Sequence, residues 1–301
     1  MTSIGKTLPC PSAASHCKRN YLRSFDGLLA ASALLAASLG SANAADYTWD
    51  TSTAAGITAG SGAWSTTGTN WNSGGSNLVW AQSTSATASH NAIFAGADGT
   101  YTVTLSGITN AQSVTFNNSG YTLTSGTLTL KPTSATSGTI TVAAGKTATI
   151  NSILSYTQNL FADVTVGAGG TLNLGGGIAG PGTANPNFNF SGDGTINLSN
   201  GTFTNNSSTS RIATYGNAVI NLTGGTHAIT PGTNVGAEIR SNTQNVAYNL
   251  SGGTLTVNGN ATTATVTGAH IGIGSATGTA FTSTLNVSSG TMSVGTTGTT
   301  S

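Results

Sequence analysis

A short strand–turn–strand unit that occurs four times is the feature that most constrains how this chain folds. The copies are INLSNGT at Ile196–Thr202, INLTGGT at Ile220–Thr226, YNLSGGT at Tyr248–Thr254 and LNVSSGT at Leu285–Thr291. Such a unit is too small to bury its own apolar face, so it has to stack on its neighbours. We therefore predict a β-solenoid, with a meander of antiparallel hairpins as the alternative.

Strict alternation of apolar and polar residues extends the strand prediction upstream of these copies. In a strand this pattern places aliphatic side chains on one face and Thr or Asn on the other. No stretch after residue 44 has convincing helical periodicity, so the expected fold class is all-β. The clearest strands are Tyr101–Leu105, Val114–Phe116, Tyr121–Leu123, Leu128–Leu130, Ile140–Val142, Val164–Val166 and Leu172–Leu174.

Charge is scarce, and this fits a stack in which each coil lies on a similar coil. Charged residues make up 5% of the chain, against about 25% in ordinary soluble domains. Like charges on adjacent strands repel each other, whereas Thr and Asn can form ladders without that cost. Asn occurs at one position of all four copies, which predicts amide hydrogen bonds from coil to coil among Asn197, Asn221, Asn249 and Asn286.

The first 44 residues are typical of an export signal. Lys18, Arg19 and Arg23 form a positive segment, Gly27–Gly40 is apolar, and Ala42–Ala44 is an A-x-A cleavage site. Cleavage after Ala44 would leave Ala45 as the new N-terminus. An uncleaved anchor is the alternative, but the apolar run is shorter than the roughly 20 residues of a membrane-spanning helix.

The mature chain is expected to contain neither a disulfide nor a membrane span. Cys10 and Cys17 both precede the cleavage site, and no later segment is apolar enough to cross a bilayer as a helix. The signal predicts an exported protein, located at the cell surface or outside the cell.

Residues 45–95 contain all four tryptophans, Trp49, Trp64, Trp71 and Trp80. We predict that these indoles form one apolar cluster that caps the end of the stack, because an open β-stack must protect its terminal edge. The alternative is a carbohydrate-binding platform formed by Trp64, Trp71 and Trp80.

Residues 96–301 form the predicted repeat region. The chain stops shortly after a repeat copy without a polar capping element, which solenoids normally need for solubility. We therefore expect either a fragment of a longer protein or a passenger without its anchor.

Several segments carry a family resemblance. The motifs are AWSTTGTNW at Ala63–Trp71, LVW at Leu78–Trp80, AIFAG at Ala92–Gly96, GTYTVTLSG at Gly99–Gly107 and SVTFNNSGYTLTSGTLTL at Ser113–Leu130. Together with the NL[ST]GGT copies, they resemble autotransporter-associated β-strand repeat proteins, the passenger domains of Gram-negative surface proteins. The resemblance implies a right-handed parallel β-helix carried to the cell surface, with any outer-membrane anchor outside this chain.

A search for reactive groups predicts no catalytic, cofactor or metal site. His90, His227 and His270 are far apart and lack metal-ligand spacing, and His227 is expected to be a partly buried side chain of the stack. Arg211, Glu238 and Arg240 are the best candidates for an alternative function, that of a polysaccharide lyase on the same scaffold. The basic residues after residue 44 are too scattered to bind a nucleic-acid backbone.

The expected function is that of a non-catalytic, structural or adhesive passenger. It would bind extracellular glycans or the surfaces of host or neighbouring cells through many weak contacts along its Thr and Asn face. The alternatives are the lyase and the tryptophan-based carbohydrate-binding module.

Overall fold

The computed structural model of the chain describes most of the region after residue 43. All described residues belong to one unit, Ala44–Ser301. The described ranges are 44–82, 90–131, 138–156, 162–179, 188–205, 211–215, 217–229, 238–241, 245–259, 270–272 and 283–296.

The described strands form three faces of a coil, which the chain visits in a fixed order. The first face contains β1 (Asp46–Trp49), β5 (Asn91–Phe94), β8 (Ser113–Phe116), β11 (Gly138–Val142), β14 (Ala162–Val166), β17 (Phe188–Gly192), β20 (Arg211–Tyr215), β23 (Glu238–Ser241) and β25 (His270–Gly272). The second face contains β2 (Gly62–Trp64), β6 (Tyr101–Leu105), β9 (Tyr121–Thr124), β12 (Thr147–Ile150), β15 (Thr171–Leu174), β18 (Thr195–Leu198), β21 (Val219–Leu222) and the first parts of β24 (Val246–Gly259) and β26 (Ser283–Thr296). The third face contains β7 (Ile108–Ala111), β10 (Thr127–Leu130), β13 (Ile153–Tyr156), β16 (Ile178–Ala179), β19 (Thr202–Asn205), β22 (Thr226–Ile229) and the second parts of β24 and β26.

Between the two ends of the stack, each strand of the three faces pairs in parallel with the strand at the same place in the coils before and after it. For example, β12 pairs with β9 on one side and β15 on the other, and β13 pairs with β10 and β16. The long strands β24 and β26 pass from the second face to the third, with register shifts between Leu250 and Thr254. The predicted parallel β-solenoid is confirmed, and the antiparallel meander is wrong.

The interior of the coil is filled by the aliphatic residues of the alternating pattern. Strands of all three faces alternate buried and partly exposed positions, as in β10, β15 and β18. The register aligns the buried residues into columns, so that each shields its neighbours from water. One such column on the second face consists of Leu123, Ile150, Leu174, Leu198, Leu222 and Leu250.

The four tryptophans are buried together at the first end of the stack. Trp71 lies at the centre of the cluster, and its ring centroid is 5.1 Å from Trp49, 4.7 Å from Trp64 and 4.7 Å from Trp80. The cluster continues into the core through Phe94, 5.7 Å from Trp71. The predicted indole cluster is therefore confirmed.

A buried carboxylate holds the outer layer of this cap in place. β3 (Trp71–Ser73) and β4 (Ser76–Leu78) form an antiparallel hairpin beside β1. Asp50 is fully buried and accepts hydrogen bonds from the backbone N–H groups of Ser52 and Thr58, both at 3.1 Å. Asn72 and Asn77 of the hairpin hydrogen-bond to each other, and Asn77 donates to the Ser52 carbonyl at 2.8 Å. Asn72 also donates to the second oxygen of Asp50 at 3.4 Å. This bond and the two backbone bonds satisfy a carboxylate whose burial would otherwise be costly.

Residues 1–43 of the predicted export signal, which ends at Ala44, lie outside the described residues. Ala44 and Ala45, which flank the predicted cleavage point, directly precede β1. The described part of the chain contains no helix long and apolar enough to cross a membrane.

The glycine before the threonine of each repeat copy is required by the close approach of successive turns. Gly201, Gly225, Gly253 and Gly290 all have positive φ, between 71° and 95°. A Cβ on Gly225 would lie 2.5 Å from the Gly201 carbonyl oxygen. Only glycine combines this backbone conformation with this distance.

We expect Gly225→Ala to lower the free energy of unfolding by about 3 kcal/mol, because it combines left-handed strain with a backbone clash. Gly74→Ala is the matched control, since Gly74 also has positive φ (63°) but a Cβ added there would have no atom within 4 Å. That control should cost about 1 kcal/mol. Urea unfolding measures both values, and equal losses would contradict the role of coil-to-coil contact.

Candidate binding face

An asparagine ladder runs along the outward side of the second face. Each amide Nδ2 donates to the Oδ1 of the asparagine one coil earlier, from Asn286 to Asn249, Asn221, Asn197 and Asn173 in turn. All four bonds are 2.8 Å long. The predicted ladder is confirmed, and it begins one coil earlier than the sequence pattern indicated.

Asn173 was missed although its strand has the sequence TLNL, which matches TINL of the following coil. The four repeat copies end in Gly-Thr, whereas in this coil the glycines are followed by Ile178. The register pairs Asn173 with Asn197 directly. The alternating Leu–Asn–Leu segment alone would have been the better signal.

The same column continues toward the cap as threonines. The register aligns Asn173 with Thr149, Thr149 with Thr122, and Thr122 with Thr102. The Asn173 amide donates to the Thr149 hydroxyl at 3.2 Å, which joins the two parts of the column. We call this column, from Thr102 to Asn286, the polar ladder.

The ladder leaves half of the hydrogen-bonding capacity of its amides available. An amide has two N–H donors and two acceptor lone pairs on oxygen. An interior rung such as Asn221 uses one donor toward Asn197 and one lone pair toward Asn249. The remaining donor and lone pair repeat at every coil on a partly exposed side chain.

The second face carries no formal charge in its strands. None of β2, β6, β9, β12, β15, β18, β21, β24 and β26 contains Asp, Glu, Lys or Arg. Strands β6 to β26 of this face span seven strand spacings, a length of about 34 Å. The strands of this face are therefore uncharged, and they carry one polar group repeated along the axis of the stack.

The alternative carbohydrate platform of Trp64, Trp71 and Trp80 does not fit the burial of these side chains. The three side chains are 0%, 0% and 1% exposed, so none presents a ring face to a ligand. Their edge-on and tilted contacts with one another use the apolar surface that a sugar would need.

The lyase candidates are aligned by the backbone, but their side chains lie outside the described ones. Arg211 of β20 is in register with Glu238 of β23, and Arg240 is in register with Ala213. Among the other acids, Asp98 binds Lys146 with an N–O distance of 2.9 Å, and both side chains are partly exposed. The hydrogen bond from Lys146 lowers the pKa of Asp98. The described residues contain no group of three or more His, Cys, Asp or Glu that could hold a metal ion.

Comparisons with known proteins relate part of this chain to an autotransporter adhesin. Over 122 residues the chain is 38% identical to the protein named "Adhesin BmaC autotransporter" of Brucella suis biovar 1 (strain 1330). The match covers 40% of this chain and 3% of that protein. No family model matches the chain, and no solved structure matches it.

His227 lies inside the stack, as its place in the repeat predicted. It is 3% exposed, and its Nδ1 lies 2.8 Å from the Tyr248 hydroxyl of the next coil. Burial lowers the pKa of His227 to about 4 and raises the pKa of Tyr248 above its usual range. The imidazole is therefore neutral at pH 7, and its hydrogen bond with the Tyr248 hydroxyl joins two successive coils.

We expect Asn221→Ala to lower the free energy of unfolding by about 2 kcal/mol, since it removes two ladder hydrogen bonds. Asn286→Ala removes one ladder hydrogen bond, from a more exposed side chain, and should lower the free energy of unfolding by about 1 kcal/mol or less. Urea unfolding of both variants measures the difference. If the interior rung costs no more than the terminal one, the ladder does not contribute to stability.

We expect His227 to make the stack less stable in mild acid. The unfolded imidazole takes up a proton near its ordinary pKa of 6.5, whereas the folded one resists protonation down to about pH 4. The contribution of the neutral imidazole to the free energy of unfolding is therefore fully present above pH 6.5. The free energy of unfolding falls by about 3 kcal/mol as the pH drops to 4. The pH dependence of urea unfolding measures this.

The matched variant is His227→Leu combined with Tyr248→Phe, which avoids leaving a buried hydroxyl without its partner. Leu128, Leu154 and Leu255 occupy the same column in other coils, so leucine fits there. The other acidic and basic residues are the same in both proteins, so their contributions cancel in the difference. Parallel stability curves for the two proteins between pH 4 and 6.5 would contradict the assignment.

Proposed function

We propose that this chain is a non-catalytic passenger of an autotransporter-type protein, with a structural and adhesive role at the cell surface or outside the cell. The observation that carries the proposal is the neutral second face with its polar ladder. The partial similarity to an autotransporter adhesin supports it. The chain spans only a small part of that relative. An adhesive activity is therefore proposed for this chain and is not carried over from the relative.

The finer parts of this proposal come from the sequence. The coil is right-handed, as nearly all parallel crossover connections are. Residues 1–44 are a signal peptide cleaved between Ala44 and Ala45. The protein needs no cofactor and does not bind nucleic acid.

Adhesion would arise from many weak contacts along the ladder. Each rung offers one donor and one acceptor, and a single such hydrogen bond contributes only about 1 kcal/mol. The rungs are held in place before binding, so little conformational entropy is lost when a ligand lies along them. Extracellular glycans and the glycan-covered surfaces of neighbouring or host cells present matching rows of hydroxyl groups.

We expect beads coated with the purified chain to attach to cells or immobilised glycans, and to lose attachment when the ladder is blocked. Asn197→Arg combined with Asn249→Arg places bulky side chains on non-adjacent rungs. Attachment should fall to the level of uncoated beads. Thr129→Arg combined with Thr226→Arg, on the third face, adds the same charge elsewhere and should leave attachment unchanged.

Circular dichroism and urea unfolding establish that both double variants are folded. Attachment that is equal for the two double variants would contradict a role for the second face. Release of unsaturated sugars from an acidic polysaccharide in the presence of calcium would contradict the non-catalytic role.

A further inference from the structure

The last described coil leaves apolar side chains uncovered. Val287, Met292 and Val294 of β26 are 50%, 42% and 45% exposed. Leu250 and Leu255, the counterparts of Val287 and Met292 one coil earlier, are buried. All three exposed side chains therefore belong to the inward set of the strand alternation, which other coils cover. Apolar surface of this kind marks a contact site.

The backbone of the same strand has an open edge. β26 is 14 residues long, and among the described strands it pairs only with β24. Soluble proteins commonly protect such an edge with lysine, with proline or with a covering segment. The sequence of β26, STLNVSSGTMSVGT, contains neither a charged residue nor proline. Nothing in the strand itself therefore opposes pairing with a further strand.

The opposite end of the stack is closed to such pairing. There the four buried tryptophans and the hairpin of β3 and β4 cover the core. An open filament would require the last coil of one copy to join the first coil of another. Association of copies through β26 must instead bring two last coils together, and identical surfaces meet about a two-fold axis.

The sequence of β26 is suited to a two-fold axis, because its polarity pattern is the same in both directions. The centre of the pattern lies between Ser289 and Gly290, at the corner where the strand passes from the second face to the third. When the strand faces an antiparallel copy about this point, each apolar residue meets an apolar one and each polar residue meets a polar one. The pairs are Leu285–Val294, Asn286–Ser293, Val287–Met292 and Ser288–Thr291.

A two-fold axis through this corner also matches the three-faced coil. It exchanges the second face of one copy with the third face of the other, so both halves of β26 pair at the same time. The exposed apolar side chains of the two copies then shield each other from water, as those of successive coils do in the interior.

We propose that two copies of this chain associate through the last described coil, with β26 of one copy antiparallel to β26 of the other. Val287 of each copy packs against Met292 of the other, and Leu285 packs against Val294. The open edges hydrogen-bond to each other. The indole cluster closes both outer ends, so association stops at two copies.

Light scattering after size-exclusion chromatography of the full chain tests this dimer. The measured mass should be twice that of one chain. A mass of one chain, or a series of larger species, would overturn the proposal. Val287→Lys and Met292→Glu should each give a monomer, because each homodimer would bury two unpaired charges. Ile108→Lys is the matched control, since Ile108 is 63% exposed on the third face in the coil nearest the cap, and it should remain a dimer.

Mixing the two charged variants tests the antiparallel register. In a mixed dimer the introduced lysine lies opposite the introduced glutamate, and the other pair keeps the native Val287 and Met292. The mixture should therefore recover the dimer mass, which a misfolded variant could not do. A mixture that stays monomeric would overturn the proposed register. Recovery of Val287→Lys by Val287→Glu instead would also overturn it.

This dimer goes beyond the adhesive role, and the two proposals fail independently. The side chains that form it belong to the inward set of β26, whereas the polar ladder lies on the outward side. Val287→Lys should therefore leave the attachment of coated beads unchanged. Circular dichroism establishes that each variant is folded.

Discussion

Parallel, in-register stacking of coil on coil is the constraint on which the rest of this structure depends. It places each residue about 4.8 Å from its counterpart in the next coil. A side chain is therefore favourable only if it tolerates a copy of itself as a neighbour. Aliphatic residues meet this requirement inside, and amides and hydroxyls meet it outside. Like charges do not, which explains why so few charged residues occur in the strands.

The two ends of the described stack differ from its interior, because only an interior coil has its apolar side chains covered by coils on both sides. At the first end the indole cluster, the hairpin and buried Asp50 cover the core. Tryptophan suits this task since one ring covers the area of several aliphatic side chains. At the last described coil Val287 and Met292 are 50% and 42% exposed, although their counterparts one coil earlier, Leu250 and Leu255, are buried.

Much of the fold could be predicted from the sequence because stacking repeats the same local pattern. The alternation identified strands such as Tyr101–Leu105 and Leu172–Leu174, and the recurring Asn predicted the ladder. Burial of the tryptophans followed from the need for a cap. The sequence also suggested Arg211 and Glu238 as a cluster, but their direct alignment depends on the lengths of connections between faces, and these vary from coil to coil. The contact of His227 with Tyr248 joins positions of different repeat copies, which a comparison of equivalent positions does not reveal.

The spacing of the ladder has a consequence for how such a protein evolves. Successive rungs are separated by 24, 24, 28 and 37 residues, yet each bond is 2.8 Å long. Extra residues enter at the connections without disturbing the register of the strands. Tandem duplication of a gene segment encoding one coil would likewise add a turn whose contacts already exist. Selection can therefore change the length of the stack and the sequences of its loops separately. Substitutions in the core are limited to residues that pack against copies of themselves.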